Sequence, residues 1–305
     1  MKVLYKFILV LVGCVCFNTY AQMPHDAIYM NKNSICIATT YANSQWSEYW
    51  ENTLKRENLN IGTHTTQSVM PMIAYGITKK LNVLAGLPYV WTKTSAGNLM
   101  GQKGFQDASV WLKYNMVESK GISLHGVVGG STPVSNYVKD FLPMSIGIGA
   151  KTLTARLIGH YKHTSGFYVT AHATYYLRSN IKVDKDAYFA DDRIYNTNEV
   201  RIPNATDMAA RAGYYKKGIQ AEVFVDKNTC VGGDYIRRND MPFPTNNMKS
   251  TGVGFYGKFQ PKNIGFTVTA RQVVAGENMG RATTLSVGFL YQINFKTKSA
   301  DSAKN

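Results

Sequence analysis

Side chains able to bind, stack or move protons recur along this chain at two-residue spacing. Asp107, Trp111 and Lys113 share one phase of a short run; His172, Tyr176 and Arg178 share one phase of another. Alternate residues of an extended strand point to the same side, so each set would project together. The matching phase of neighbouring runs holds His125, Arg156, His160, Asp207, Arg211, Glu222, Asp226, Tyr256, Lys258 and Arg271. Two kinds of chemistry fit such a set. Charges of opposite sign can pair and stiffen a narrow interior. They can also line a polar conduit, in which Trp111 and Tyr176 stack on a flat ring while Arg or Lys holds a carboxylate or phenolate.

Hydrolytic chemistry is a third possibility, and it needs a nucleophile, a base and an orienting partner. His160, His163 and His172 lie near Thr164 and Ser165, but no Gly-x-Ser-x-Gly elbow occurs anywhere. No catalytic residue is therefore expected, and the chain is not expected to be an enzyme. A lipase-like barrel is the remote alternative. No Cys-x-x-Cys or Cys/His spacing suggests a metal, and no cofactor is expected. Asp184, Asp186, Asp191 and Asp192 lack the spacing of a calcium loop. Cys36 and Cys230 would lie on distant strands, too far apart for a disulfide.

The elements that must hold these side chains are strands. Leu81, Val83, Ala85, Leu87, Tyr89 and Trp91 alternate, as do Ala108, Val110, Leu112, Tyr114 and Met116. The same period returns in Phe167, Val169, Ala171, Ala173, Tyr175 and Leu177, and again in Leu285, Val287, Phe289, Tyr291, Ile293 and Phe295. About twelve strands are expected, near 34–42, 63–77, 80–92, 106–117, 122–133, 143–161, 166–179, 205–215, 218–236, 248–259, 263–275 and 281–295. The sixth changes phase, which predicts a bulge near Lys151. Pro88 and Pro133 suit an outer rim, whereas Pro71 falls inside a strand.

The connections alternate in length. Short turns fall at 78–80, 118–121, 162–166, 215–218 and 260–263; long polar ones at 43–62, 93–106, 135–142, 180–204 and 237–247, with a shorter one at 276–280. Brief turns on one side and long loops on the other wire a transmembrane β-barrel. Tyr75, Tyr114, Tyr161, Phe167, Tyr214 and Phe259 gather beside the short turns, as an aromatic girdle would. Closure is required because an unpaired backbone group in hydrocarbon costs several kcal/mol. The expected fold is all-β, a single antiparallel transmembrane barrel over 34–295. A secreted β-sandwich is the soluble alternative, but its strands tend to be shorter and its connections lack this asymmetry.

The first 21 residues read as a secretory signal: Lys2 and Lys6, an apolar core from Phe7 to Phe17, and Thr19-Tyr20-Ala21 before a cut. Leu11-Val12-Gly13-Cys14 offers a lipoprotein box as an alternative, which would leave Cys14 lipidated. Residues 22–33 are then expected as a periplasmic N-terminal segment and 296–305 as a periplasmic tail. The mean hydropathy of −0.21 does not exclude a membrane protein, because lumen-facing residues dilute it. The chain carries 34 Lys and Arg against 19 Asp and Glu, a net +15, yet forms no basic helix or run, so no nucleic-acid partner is expected. Many of these cations sit at short turns: Lys79, Lys80, Lys162, Lys216, Lys217 and Lys262.

The stretch Tyr75-Gly76-Ile77-Thr78-Lys79-Lys80-Leu81-Asn82-Val83, running on to Leu87-Pro88-Tyr89, resembles an outer-membrane family named for the meta-pathway of phenol degradation. Gly104-Phe105-Gln106-Asp107, followed by Lys113-Tyr114, resembles that family's second hallmark. The resemblance implies a transporter in the outer membrane of a Gram-negative cell, passing small hydrophobic or aromatic solutes through its lumen. Expected partners are outer-membrane lipid and lipopolysaccharide, the solute, and barrel-assembly machinery. The lumen-lining candidates are Asp107, Trp111, Lys113, His172, Tyr176, Arg178, Arg211, Glu222, Asp226, Lys258 and Arg271. The main alternative is a structural or adhesive surface barrel, with 180–204 as the working loop.

Overall fold

The computed structural model describes residues 23–238 and 240–295; the signal, the alternative Cys14 site and the C-terminal tail lie outside the described residues. Twelve antiparallel strands form the wall. They are β1 (Ser34–Trp46), β2 (His64–Gly76), β3 (Leu81–Gly86 and Tyr89–Thr94), β4 (Lys103–Phe105 and Asp107–Ser119), β5 (Ile122–Pro133) and β6 (Thr152–Lys162). They continue with β7 (Phe167–Arg178), β8 (Asn204–Lys216), β9 (Ile219–Val231), β10 (Lys249–Phe259), β11 (Ile264–Glu277) and β12 (Thr283–Asn294). Each pairs with its sequence neighbours, and β1 pairs with both β2 and β12, so the sheet closes on itself.

Alternation sets which side chains meet the exterior. On β7 Phe167, Val169, Tyr175 and Leu177 are exposed while Tyr168, Thr170, His172 and Thr174 are buried. Leu112, Val223, Val225, Leu285 and Val287 are likewise exposed. This outer surface is apolar because the sequence assigns its apolar phase to it; the polar phase fills the interior.

Two strands depart from the sequence expectation. The sixth starts at Thr152 rather than near 143, and its register with β5 and β7 is unbroken, so there is no bulge at Lys151. Residues 134–151 instead fold over the barrel rim: Thr92 donates to the Met144 carbonyl at 2.7 Å, Tyr137 donates to Asp107 at 3.0 Å, and Ile146 packs with Val90 and Tyr137. The bulges fall elsewhere, at 115–117 of β4 and 251–252 of β10. The ninth strand ends at Val231, short of the expected 236. Pro71 stands across from the Leu87–Pro88 interruption in β3, where Leu87 N–H donates to the Pro71 carbonyl at 3.2 Å. Its missing donor thus falls where the ladder is already broken.

The long connections are themselves folded. Ala150, Ile181, Val183, Val200 and Ile202 make an apolar cluster with Ile148, Tyr188 and Phe243. The Tyr188 ring stacks on Tyr195 at 5.1 Å and on Phe243 at 5.6 Å. The buried Asn278 side chain accepts from the backbone of Asn52 and Ile236 and donates to the Asn247 carbonyl at 2.9 Å, tying three loops together. The long-loop end of the barrel therefore carries a packed cap.

Candidate functional site

The interior is organised around a segment that the sequence reading placed outside it. Residues 22–33 were expected below the barrel; the described part, from Met23, instead runs up into the lumen from the short-turn end. The physical reason is Lys113. Its neighbours Leu112 and Tyr114 face outward, so Lys113 must face in, and it is fully buried. Its ammonium group donates to the Met23 carbonyl at 3.1 Å, the Ile28 carbonyl at 3.0 Å and Asp26 Oδ1 at 2.7 Å. All three donors end on the N-terminal segment. Asp26 in turn accepts from the backbone N–H of Met23 at 2.7 Å and of Ile28 at 2.9 Å, which folds the segment into a compact turn. A buried cation without such a carboxylate would be costly, and here the acid comes from 87 residues away.

Further contacts hold the same segment. Arg156 donates to the Pro24 carbonyl at 3.0 Å, to Thr174 at 2.7 Å and to Tyr176 at 3.2 Å, and lies 3.6 Å from Asp207. His172 Nε2 meets Asp207 at 2.9 Å, and its ring lies 6.3 Å from that of His25. The Tyr29 ring lies 5.2 Å from His125 and 4.9 Å below the Lys113 ammonium. Met30 is buried among Cys36, Met72, Ala74, Leu84 and Leu290, with Met23 and Trp111 against that cluster. At Gly76 a side chain would run into the Asn31 carbonyl, so glycine is needed for the segment to turn in at that point.

The segment divides the lumen. On the cap side is a cavity of about 580 Å³, walled by Met23, Pro24, His25, Met70, Met72, Trp111 and Ile148, with Asp107, Tyr176 and Arg178 also facing it. On the short-turn side is one of about 600 Å³, lined by Asp26, Ile28, Tyr29, His125, His160, Tyr168, Arg211 and Glu222. The two share no lining residue.

The eleven residues singled out from sequence fall into groups. Lys113, His172 and Tyr176 gather around the segment. Arg211 pairs with Glu222 at 2.6 Å, and Tyr168 donates to the same carboxylate at 2.5 Å. Arg271 pairs with Asp226 at 2.8 and 2.5 Å. Lys258 is buried with its ammonium 4.7 Å over the Tyr215 ring. Asp107, Trp111 and Arg178 face the cap-side cavity, where Arg178 donates to the Pro203 carbonyl at 3.2 Å. The interior is thus a paired network as well as a divided passage. Sequence reasoning missed Asp26, His25 and Tyr29. The available signal was a lone acid, Asp26, between the expected secretory signal and the first strand, able to neutralise an inward lysine.

His163 Nδ1 and Ser165 Oγ meet at 2.8 Å on the exposed 163–166 turn, while His160 binds Thr170 at 2.7 Å. His160, His163 and Thr164 line the short-turn-side cavity, whereas His172 pairs with Asp207. Among the described residues no group of three or more His, Cys, Asp or Glu side chains is placed to hold a metal. Cys36 and Cys230 are free thiols.

A closed twelve-stranded wall around a lumen divided by its own N-terminal segment can be set beside known structures. It is similar to the COG4313 outer membrane channel of Pseudomonas putida F1, with a TM-score of 0.70 at 13% identity, covering 90% of this chain and all of that one. The fold is that of an outer membrane barrel. The translocator domain of the autotransporter NalP from Neisseria meningitidis is also similar, with a TM-score of 0.50 at 10% identity over 86% of this chain and 89% of that one. No family model matches the sequence, and no curated protein matches it. A channel and an autotransporter translocator on one architecture illustrate that fold alone does not choose the cargo.

Proposed function

We propose that this chain is an outer-membrane channel of a Gram-negative cell, related to the phenol meta-pathway family, that admits small hydrophobic or aromatic solutes by passive passage. The observation that carries this reading is the cap-side cavity. Met23, Met70, Met72, Trp111 and Ile148 give it apolar and aromatic walls, and about 580 Å³ suits a small organic molecule. Passage onward requires the N-terminal segment to move, since Pro24 and His25 face one cavity and Asp26 and Tyr29 the other. The lumen would then act as a gated path for single solutes. A wide water-filled pore would serve hydrophilic traffic instead.

The test is uptake by intact Gram-negative cells, because lipopolysaccharide slows hydrophobic solutes that plain phospholipid vesicles let through. Cells producing the chain should take up a neutral radiolabelled aromatic hydrocarbon faster than cells with an empty vector. Equal rates, with the barrel folded and inserted, would refute the reading and favour a structural or adhesive surface role.

A further inference from the structure

The two ends of the barrel differ in the acids that accompany their cations. In the long loops six cations are ion-paired, Lys55 and Arg281 with Glu48, Arg56 with Glu51, Lys185 with Asp140, Arg237 with Asp192 and Lys249 with Glu277, while Lys93, Lys103, Lys151, Lys182, Arg193, Arg201 and Arg238 are exposed and form no ion pair among the described residues. The short-turn rim carries lysines with almost no acid beside them. Lys32, Lys79, Lys80, Lys120, Lys162, Lys216, Lys217 and Lys262 are all exposed. None of these eight forms an ion pair among the described residues. Lys162 lies 4.8 Å over the Tyr215 ring and, with Lys79, also borders the mouth of the short-turn-side cavity. Among the described residues one acid, Glu118, shares this rim, and it accepts from Asn115 at 2.8 Å.

Placement narrows what these charges meet. Every short turn contributes at least one lysine, and Lys32 adds one where the chain enters β1, so the cations encircle the barrel. Just inside them sit outward apolar and aromatic side chains: Ile77, Ile122, Tyr161, Phe167, Ile219, Phe259 and Ile264 are all exposed. The turns are tight and project little beyond this band; Lys120 and Lys217 take positive φ (47° and 54°), each followed by a glycine with positive φ. A ring of free ammonium groups bordering the apolar band matches a surface that surrounds the barrel. A docked protein would be served by a patch.

We propose that this rim is an annular binding surface for anionic phospholipid, its lysines donating to headgroup phosphates of the leaflet that meets the short turns. The proposal rests on the membrane placement given above but not on any solute.

The test uses the full mature chain reconstituted in phosphatidylcholine vesicles, with spin-labelled phosphatidylglycerol and phosphatidylcholine of equal chain length as probes. The protein should hold phosphatidylglycerol about fivefold more strongly at each rim site, the preference that one lysine near an anionic surface supplies. Salt near ~1 M should erase the difference, because screening then acts within about 3 Å. Changing all eight lysines to glutamine should remove the preference, and changing them to arginine should keep it. Heat-modifiable gel migration reports whether each variant remains a closed barrel. A folded wild-type barrel without the preference, or one whose preference survives salt, overturns the proposal while leaving the barrel and its solute reading standing. A folded glutamine variant that retains the preference overturns it too.

Discussion

Replacing Lys113 by alanine should open the barrel. The wild-type ammonium group spends all three donors on the N-terminal segment, two on carbonyls and one on Asp26. The substitution removes them together and leaves the Asp26 carboxylate, 18% exposed, without its partner inside the lumen. Breaking a buried pair by deleting one member costs about 3–5 kcal/mol. If that loss falls on the seated state of the segment, the ratio of seated to displaced segment drops by roughly two to four orders of magnitude. Single-channel recording in planar bilayers should show rare, brief openings in the wild type and sustained current in Lys113→Ala. Asp26→Asn keeps an acceptor for the lysine and should lie between the two. Unchanged current in Lys113→Ala would mean that the segment does not set the closed state.

The second large effect concerns the wall. Leu157 lies mid-way along β6, is half exposed, and projects outward, while its neighbour Arg156 faces the lumen and Ile158 is buried. Its environment in the cell is hydrocarbon if the apolar band meets lipid. Leu157→Arg then costs about 2–4 kcal/mol, as charged substitutions on the lipid face of a barrel do near the midplane. Reversible urea titration of the protein in phospholipid vesicles reads that cost as a lowered midpoint with unchanged slope. A loss below about 0.5 kcal/mol, ordinary for an exposed surface site, would place this face in water.

The wall was the legible part of this protein, and the reason is physical. A strand with lipid on one side and a filled lumen on the other must alternate at every step, so the pattern survives even where individual strands carry proline or glycine. Residues 143–151 show where this logic misleads. Ile146, Ile148 and Ala150 alternate, yet they pack a loop against Val90, Tyr137 and the cap rather than a ladder. Period two reports alternating burial, and an inward-folded loop has that too. Inward side chains could be read from the same phase, but their partners could not. Lys113 meets an acid that is 87 positions away and in a segment with no periodicity at all. Pro71 is likewise accommodated by the break at Leu87–Pro88 opposite it, a pairing that its own strand does not encode.

The most direct measurement is the current carried by a refolded chain that begins at Lys32 and so lacks Met23 to Asn31. If the segment is what closes the lumen, the shortened protein keeps its heat-modifiable migration and conducts steadily where the full mature chain is shut. A shortened barrel that folds yet passes no more current than the full chain would contradict the account: the closure would then have to come from the wall or the cap.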